Sequence, residues 1–248
     1  MKTKEDELKQ HSDLPRRIIG MKNKFVSVYI IIGIWVVVFL LARIMPLNTY
    51  FSNKGMDYMN GEYYRYLTAE FCHINLFHLL VNCLGLYYIT IYLNDIVNEI
   101  VIIIIGIVGG FVADFVFSIV IHASEESMGG SAFVFPIIGI ILFLKLFDKN
   151  MPPFKLGTYY GNWTVGYAVI GNIVNGKMEI ADYTTILLHA AGFVAGFLLA
   201  IPCKKVLRKD IERFYIRILL IFFFFVLYAC TELGTNIWKD KRLMAGFK

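Results

Sequence analysis

Two glycines and a serine precede a long apolar segment in the stretch Met128-Gly129-Gly130-Ser131-Ala132-Phe133-Val134-Phe135. A serine in this position has two interpretations. Its hydroxyl can cap the helix by accepting a backbone N–H of the first turn, or it can act as a nucleophile toward a carbonyl carbon. The second interpretation requires a base, oxyanion donors and water, so these groups have to be found elsewhere in the chain.

The composition places this stretch inside a membrane protein. Of the 248 residues, 58% are hydrophobic and only 17% are charged, which departs far from the average soluble domain. The net charge of +5 comes from basic residues that cluster between apolar segments. This pattern is typical of membrane topology and does not indicate a nucleic-acid partner. The four cysteines form no CxxC pair, and we expect no disulfide framework, no metal and no cofactor.

Seven apolar segments are candidates for membrane-spanning helices. They are residues 25–42, 71–93, 100–121, 132–147, 160–174, 185–203 and 214–231. The fifth is the least apolar, because it contains Asn162, Asn172 and several glycines. The sequence therefore predicts an all-α fold, a polytopic membrane helical bundle. We expect a cytoplasmic tail over residues 1–24, a six-helix core over residues 25–203, and a basic loop, a seventh helix and a C-terminal tail over residues 204–248.

The charges of the loops predict how the bundle is oriented. Basic residues flank the loop after the fourth segment and fill the loop after the sixth, whereas residues 122–128 carry Glu125 and Glu126 and no basic residue. Because positively charged loops stay in the cytoplasm, we expect a multi-pass plasma-membrane protein with a cytoplasmic N-terminus. The second, fourth and sixth segments then all run from the outside to the inside.

Five polar side chains fall near one depth of this bundle, toward the outer face: His73, His78, Asn82, Ser131 and His189. Polar groups inside a membrane are unfavourable by roughly a few kcal/mol unless they meet a partner or water. Hydrogen bonds between helices would explain one such residue. Five at one level favour a hydrated cavity.

Helical spacing brings the serine and the last histidine onto facing surfaces. Residues three or four apart share one face of a helix, which groups Ser131 with Phe135 and Gly139, and His189 with Gly192 and Gly196. The GxxxG spacing from Gly192 to Gly196 is typical of closely packed helices. We expect Gly139 and Gly196 to permit the close approach, with Phe135 beneath the ring of His189.

Four motifs, in this order, resemble those of the rhomboid intramembrane serine proteases. They correspond to the Trp-Arg motif of the first external loop, the His/Asn motif of the second helix, the GxS motif and the sixth-helix motif. The residues are Glu62-Tyr63-Tyr64-Arg65, His73-x4-His78-x3-Asn82, Gly129-Gly130-Ser131 and His189-x2-Gly192-x3-Gly196. The seven segments resemble the six-plus-one form of the family, in which one helix follows the six-helix core.

The resemblance implies a Ser-His dyad, with Ser131 as nucleophile and His189 as general base. The implied oxyanion donors are the Ser131 backbone N–H and the side chains of His78 and Asn82. Arg65 is expected to anchor the first external loop through carbonyls or a lipid phosphate, and His73 to position its neighbours or hold water. The remaining supporting residues are Phe135, Gly129, Gly130, Gly192 and Gly196. The implied partners are single-span membrane-protein substrates in the lipid bilayer.

No acidic residue is suitably placed to orient His189. Asp182 precedes it by seven residues and is expected to face solvent, and Asp114 in the third segment is expected to hydrogen-bond within the bundle. The residues alone therefore also favour a dyad.

Four residues depart from the family pattern. Tyr64 replaces a Trp, Ala132 stands where Gly is commoner, Phe135 stands where Tyr is frequent, and Leu188 stands where a small residue is typical. Leu188 is the departure expected to disturb packing against the fourth helix. The alternative function is a catalytically inactive rhomboid-like protein that binds and escorts membrane helices. A small transporter is disfavoured, because a permeation path needs polar groups through the full membrane thickness.

Overall fold

The structure is a computed structural model, and it describes residues 26–55, 61–93, 97–120, 126–148 and 154–203. The predicted seventh span at 214–231, the N-terminal tail and the C-terminal tail lie outside these residues. The bundle described below corresponds to the first six predicted spans.

Eight α-helices make up most of the described chain, which confirms the prediction of an all-α bundle. They are α1 (Val26–Leu41), α2 (Leu47–Phe51), α3 (Arg65–Thr68), α4 (Leu76–Leu93), α5 (Glu99–Val120), α6 (Ser131–Phe147), α7 (Tyr159–Ile173) and α8 (Tyr183–Cys203). A 3-10 helix at Ala69–Phe71 links α3 to α4. Two short strands, β1 (Asn53–Lys54) and β2 (Glu126–Ser127), pair antiparallel with Asn53 opposite Ser127.

Three of these helices, α4, α5 and α8, are long and apolar enough to cross a membrane, and α1 and α6 are shorter apolar helices. Each of the first six predicted spans overlaps one helix. The second span begins later than predicted, because the Asn75 side chain accepts the backbone N–H of His78 at 2.8 Å and caps α4 at its start. His73, predicted within the span, therefore lies in the loop before the helix.

α6 is the centre of the bundle. Thirteen of its 17 residues are buried, and it contacts α4, α5, α7 and α8. Its closest neighbour is α8. A Cβ atom added at Gly196 would lie against the backbone of Pro136 in α6, and one added at Gly139 would lie against the backbone of Phe193 in α8. The two glycines therefore permit the close approach that their spacing predicts.

Arg65 ties the loop between α1 and α4 together. Its Nη1 donates to the carbonyls of Thr49 at 2.9 Å and Ser52 at 3.0 Å, and its Nε donates to the Glu62 carboxylate at 2.8 Å. The side chain is buried. Of the two partners expected for Arg65, the structure shows the backbone carbonyls.

A buried polar network fastens this loop to α5 and to β2. Asp114 accepts hydrogen bonds from the Asn53 side chain at 2.9 Å and the Ser127 hydroxyl at 2.6 Å. Ser118 donates to the Asn53 side-chain oxygen at 2.8 Å. The expectation that Asp114 hydrogen-bonds within the bundle is confirmed. Because β2 lies just before Gly129, this network also fixes where the serine stretch begins.

Glu70 is the least satisfied member of this region. It is fully buried beside Gly110, and neither carboxylate oxygen has a hydrogen-bond partner among the described residues. Burial, and secondarily the nearby Asp114, raise the pKa of Glu70 well above its ordinary value of 4.5. Its protonated form is therefore the one that the folded protein favours.

We predict that Gly196→Ala destabilises the bundle by about 1–3 kcal/mol, since the added methyl group forces α6 and α8 apart. The midpoint of thermal unfolding in lipid nanodiscs measures this. Gly166→Ala in α7 is the matched control, because nothing lies within 4 Å of the added Cβ, and it should be neutral or stabilising by about 0.5–1 kcal/mol. Equal midpoints for the two variants would contradict the close-approach interpretation.

We also predict that Glu70→Gln stabilises the protein at neutral and alkaline pH. A carboxyl whose pKa is raised by folding contributes stability below its unfolded pKa of about 4.5 and loses it as pH rises through the folded value. The amide does not ionise, so its advantage in unfolding midpoint should grow from pH 5 to pH 8. The exposed Glu179→Gln is the control and should show no such trend. A Glu70→Gln advantage that is independent of pH would refute the explanation.

Candidate active site

Ser131 is the first residue of α6, and Gly130 is the N-cap. Because Gly130 occupies the N-cap position and Ser131 is already the first helical residue, the interpretation of Ser131 as an N-cap is wrong. Ser131 is 8% exposed. Its hydroxyl and its backbone N–H make no hydrogen bond to any of the described residues. The hydroxyl is therefore not used to stabilise the helix, and both groups are free for other contacts.

The two glycines before Ser131 form a tight turn that no other residue fits well. Gly129 has φ +144°, which L side chains rarely adopt, and a Cβ there would be 2.5 Å from Cε1 of His78. A Cβ at Gly130 would be 2.6 Å from the ring of Trp35. The turn is held at its first residue, because Gly129 N–H donates to the Ala69 carbonyl at 3.0 Å.

His73 supports the same turn. Its Nε2 accepts the backbone N–H of Gly130 at 3.3 Å, and its ring packs edge-on against Trp35 and His78, with centroids 5.3 Å apart in both pairs. His73 thus contacts the backbone that leads into Ser131. The neighbour-positioning role expected for His73 stays a prediction, and this contact is the one through which it would act.

His189 lies on the face of α8 that packs against α6. Its ring is 4.0 Å from the ring of Phe135, centroid to centroid, and 11° from parallel to it. Phe135 is one helical turn after Ser131, so stacking fixes the imidazole beside the start of α6. No hydrogen bond joins Ser131 to His189 among the described residues. Catalytic hydrogen bonds are often long in a resting site and shorten when substrate binds.

Neither aspartate considered from the sequence contacts His189. Asp182 is exposed and accepts the backbone N–H of Thr185 at 2.9 Å, as a cap of α8. Hydrogen bonds from Thr184 and Thr185 outweigh the effect of partial burial and lower the pKa of Asp182. Asp114 belongs to the network at Asn53. The group that does contact His189 is the amide of Asn172 in α7, with its Oδ1 3.4 Å from Nδ1.

Asn82 and His78 lie on α4 near the start of that helix. Asn82 is buried, and its Oδ1 accepts the hydroxyl of Tyr167 at 2.5 Å, whereas its Nδ2 has no partner among the described residues. His78 is enclosed between Gly129 and Gly176 of the loop after α7. The Asn75 side chain holds that loop by donating to the Gly176 carbonyl at 2.7 Å.

The four departures from the family pattern fit their surroundings. Leu188 packs against Ala113 and Phe117 of α5, so its bulk is accommodated on that helix. Ala132 is buried, Phe135 stacks on His189, and Tyr64 is 49% exposed.

Tyr167 and Asn172 were not predicted as site residues. Both belong to α7, the least apolar predicted span, and their polarity was the one signal of a contact. The described residues contain no group of three or more His, Cys, Asp or Glu side chains that could hold a metal ion. The arrangement offers a hydroxyl at a helix N-terminus, a stacked imidazole, and donors that have no partner among the residues described, which together suit acyl transfer.

The family comparison agrees with the motifs. The Rhomboid domain model matches residues 60–206, which is 147 of the 248 residues. No curated protein matches the chain. The matched region contains the turn at Ser131, the capped start of α4 and the glycine contact of α8. Proteins of this family act on membrane-helix substrates within the bilayer. The chain belongs to the rhomboid family and is a multi-pass integral membrane protein.

Proposed function

We propose that this protein is an intramembrane serine endopeptidase that hydrolyses peptide bonds of transmembrane helices through a Ser131-His189 dyad. The observation that carries the proposal is the stacking of His189 on Phe135, one turn from Ser131. The Ser131 hydroxyl makes no hydrogen bond to the residues that the structure describes. Membership of the rhomboid family supports it.

In the first half of the reaction, His189 accepts the proton of the Ser131 hydroxyl as its oxygen attacks the scissile carbonyl carbon. His189 then returns the proton to the leaving amine, and an acyl-enzyme remains. In the second half, His189 takes a proton from a water molecule that attacks the ester. Collapse of the second tetrahedral intermediate releases the acid and restores the Ser131 hydroxyl.

Charge on the carbonyl oxygen needs donors that are already in place. The Ser131 backbone N–H and the Nδ2 of Asn82 are both unpartnered among the described residues, and His78 lies against the Gly129 turn. The positive end of the α6 dipole adds to the field at Ser131. A buried donor without an acceptor is unfavourable in the resting protein, which is the arrangement expected of a donor reserved for a transient oxyanion.

The proposed substrates are single-span membrane proteins cut near the outer membrane face. The proposed location is the plasma membrane, with the N-terminus in the cytoplasm, because the basic loops fall on the side of the N-terminal tail. Cleavage near that face would give the second half of the reaction access to water.

We predict that a fluorophosphonate probe labels the purified wild-type protein in lipid nanodiscs and that Ser131→Ala abolishes the labelling. His189→Ala should slow labelling by at least about 10³-fold, because the nucleophile loses its base. Ser27→Ala is the control, since Ser27 hydrogen-bonds to Glu99, the first residue of α5, and belongs to neither the dyad nor the proposed oxyanion donors. If folded wild-type protein neither labels nor cleaves a glycine-rich single-span test protein, the escort function replaces the protease function.

We predict that Asn82→Ala lowers the second-order labelling rate by about 10²–10³-fold, the usual effect of removing one oxyanion donor. With a cleavable test protein, kcat should fall and KM should stay unchanged, because the contact forms only in the transition state. The exposed Asn162 of α7 serves as control in Asn162→Ala. A loss confined to KM would assign Asn82 to substrate binding instead.

A further inference from the structure

One helix outside the four family motifs contacts both the proposed base, His189, and one proposed oxyanion donor, Asn82. α7 packs mainly against α4 and also touches α6 and α8. Two of its polar side chains, Tyr167 and Asn172, point inward and hydrogen-bond to Asn82 and His189. Neither contact is needed to hold α7 as a helix.

The contact at His189 has a defined direction. The Nδ2 of Asn172 donates to the Ala168 carbonyl at 2.7 Å, and a carbonyl oxygen can only accept. The other amide atom, Oδ1, must therefore be the one that lies 3.4 Å from Nδ1 of His189. Because Oδ1 also only accepts, Nδ1 carries the proton. The Nε2 of His189 then carries the free lone pair and is the basic nitrogen. This tautomer, with the proton on Nδ1, is the one that lets Nε2 act as a general base.

The contact at Asn82 has a defined direction as well. The Tyr167 hydroxyl lies 2.5 Å from the Asn82 Oδ1, and both side chains are buried. This hydrogen bond fixes the amide so that Nδ2, which has no partner in the described part of the chain, points away from Tyr167. The Tyr167 ring cannot easily rotate, because it packs closely on Gly85 of α4 and lies 5.7 Å from the ring of Phe135.

We propose that α7 is the positioning element of the site, with Asn172 selecting the tautomer of His189 and Tyr167 orienting the amide of Asn82. This inference rests on the serine-protease function proposed above. Asn172 and Tyr167 act through His189 and Asn82 and do not themselves touch the reacting atoms. The base and the oxyanion donor are thereby aligned by one helix.

The first test removes each hydrogen bond and measures the rate of fluorophosphonate labelling in lipid nanodiscs. Asn172→Ala and Tyr167→Phe should each slow labelling by about 10-fold or more, since small errors in alignment have large effects on rate. Asn172→Asp keeps the acceptor and should stay within about threefold of wild type. Asn162→Ala and the exposed Tyr159→Phe, on the first turns of α7, are matched controls.

The second test separates positioning from a merely structural role. If Tyr167 acts through Asn82, then Tyr167→Phe should change the rate by less than about twofold in an Asn82→Ala background. An equal loss in both backgrounds would overturn this half of the proposal. Thermal unfolding midpoints identify any variant that fails to fold. For such a variant, the NMR measurement of the His189 tautomer in the wild-type protein decides.

The third test needs no activity. Nitrogen-15 NMR of histidine-labelled wild-type protein, with the His189 signal assigned by its loss in His189→Ala, reports which ring nitrogen carries the proton. We expect the proton on Nδ1, and a shift toward a mixture of tautomers in Asn172→Ala. A proton on Nε2 in the wild-type protein would overturn the role of Asn172. A wild-type protein that fails to label but shows the Nδ1 proton would contradict the protease function alone.

Discussion

The backbone contact between α6 and α8 is the constraint on which the rest of the structure depends. Gly139 and Gly196 let the two helices touch along their main chains, and that distance sets how far the His189 ring reaches over Phe135. In a membrane, helices gain little from burying apolar surface against one another, so association relies on close packing and polar contacts. A wider spacing would remove both the packing and the aromatic stack that fixes the imidazole.

Around this contact, the protein combines well-satisfied anchors with a few groups left unsatisfied. Arg65 and Asp114 use their hydrogen-bonding capacity within the loop and the α5 network. By contrast, Glu70 and the Nδ2 of Asn82 are buried and have no partner within the part of the chain that the structure describes. Consistent local choices normally specify a fold, and departures concentrate at functional or strained positions. The Nδ2 of Asn82 is the donor that the proposed oxyanion role would use, whereas Glu70 is accounted for by neutralisation of its carboxyl.

Much of this arrangement was predictable from the sequence. The lengths of the apolar segments predicted the helices. The three- and four-residue spacing predicted the glycine contact and the Phe135 stack, because periodicity determines which residues share a helix face. The position of His73 was not predictable from hydrophobicity, since the side chain of Asn75 decides where α4 begins. Leu188 faces α5. Its direction was not predictable either, because it depends on how α8 is rotated about its own axis. Tyr167 and Asn172 were missed, since contacts between distant helices leave no local pattern.

Trp35 gives the molecule a built-in optical probe. Its indole is fully buried, packs edge-on against His73 and Phe133, and lies against Gly130 in the turn that precedes Ser131. Of the three tryptophans in the chain, Trp163 is stacked on Tyr88 instead, away from that turn. The emission of Trp35 is therefore sensitive to the same few side chains that hold the Gly129-Gly130 backbone, so rearrangement of this turn can be followed by fluorescence without attaching a dye.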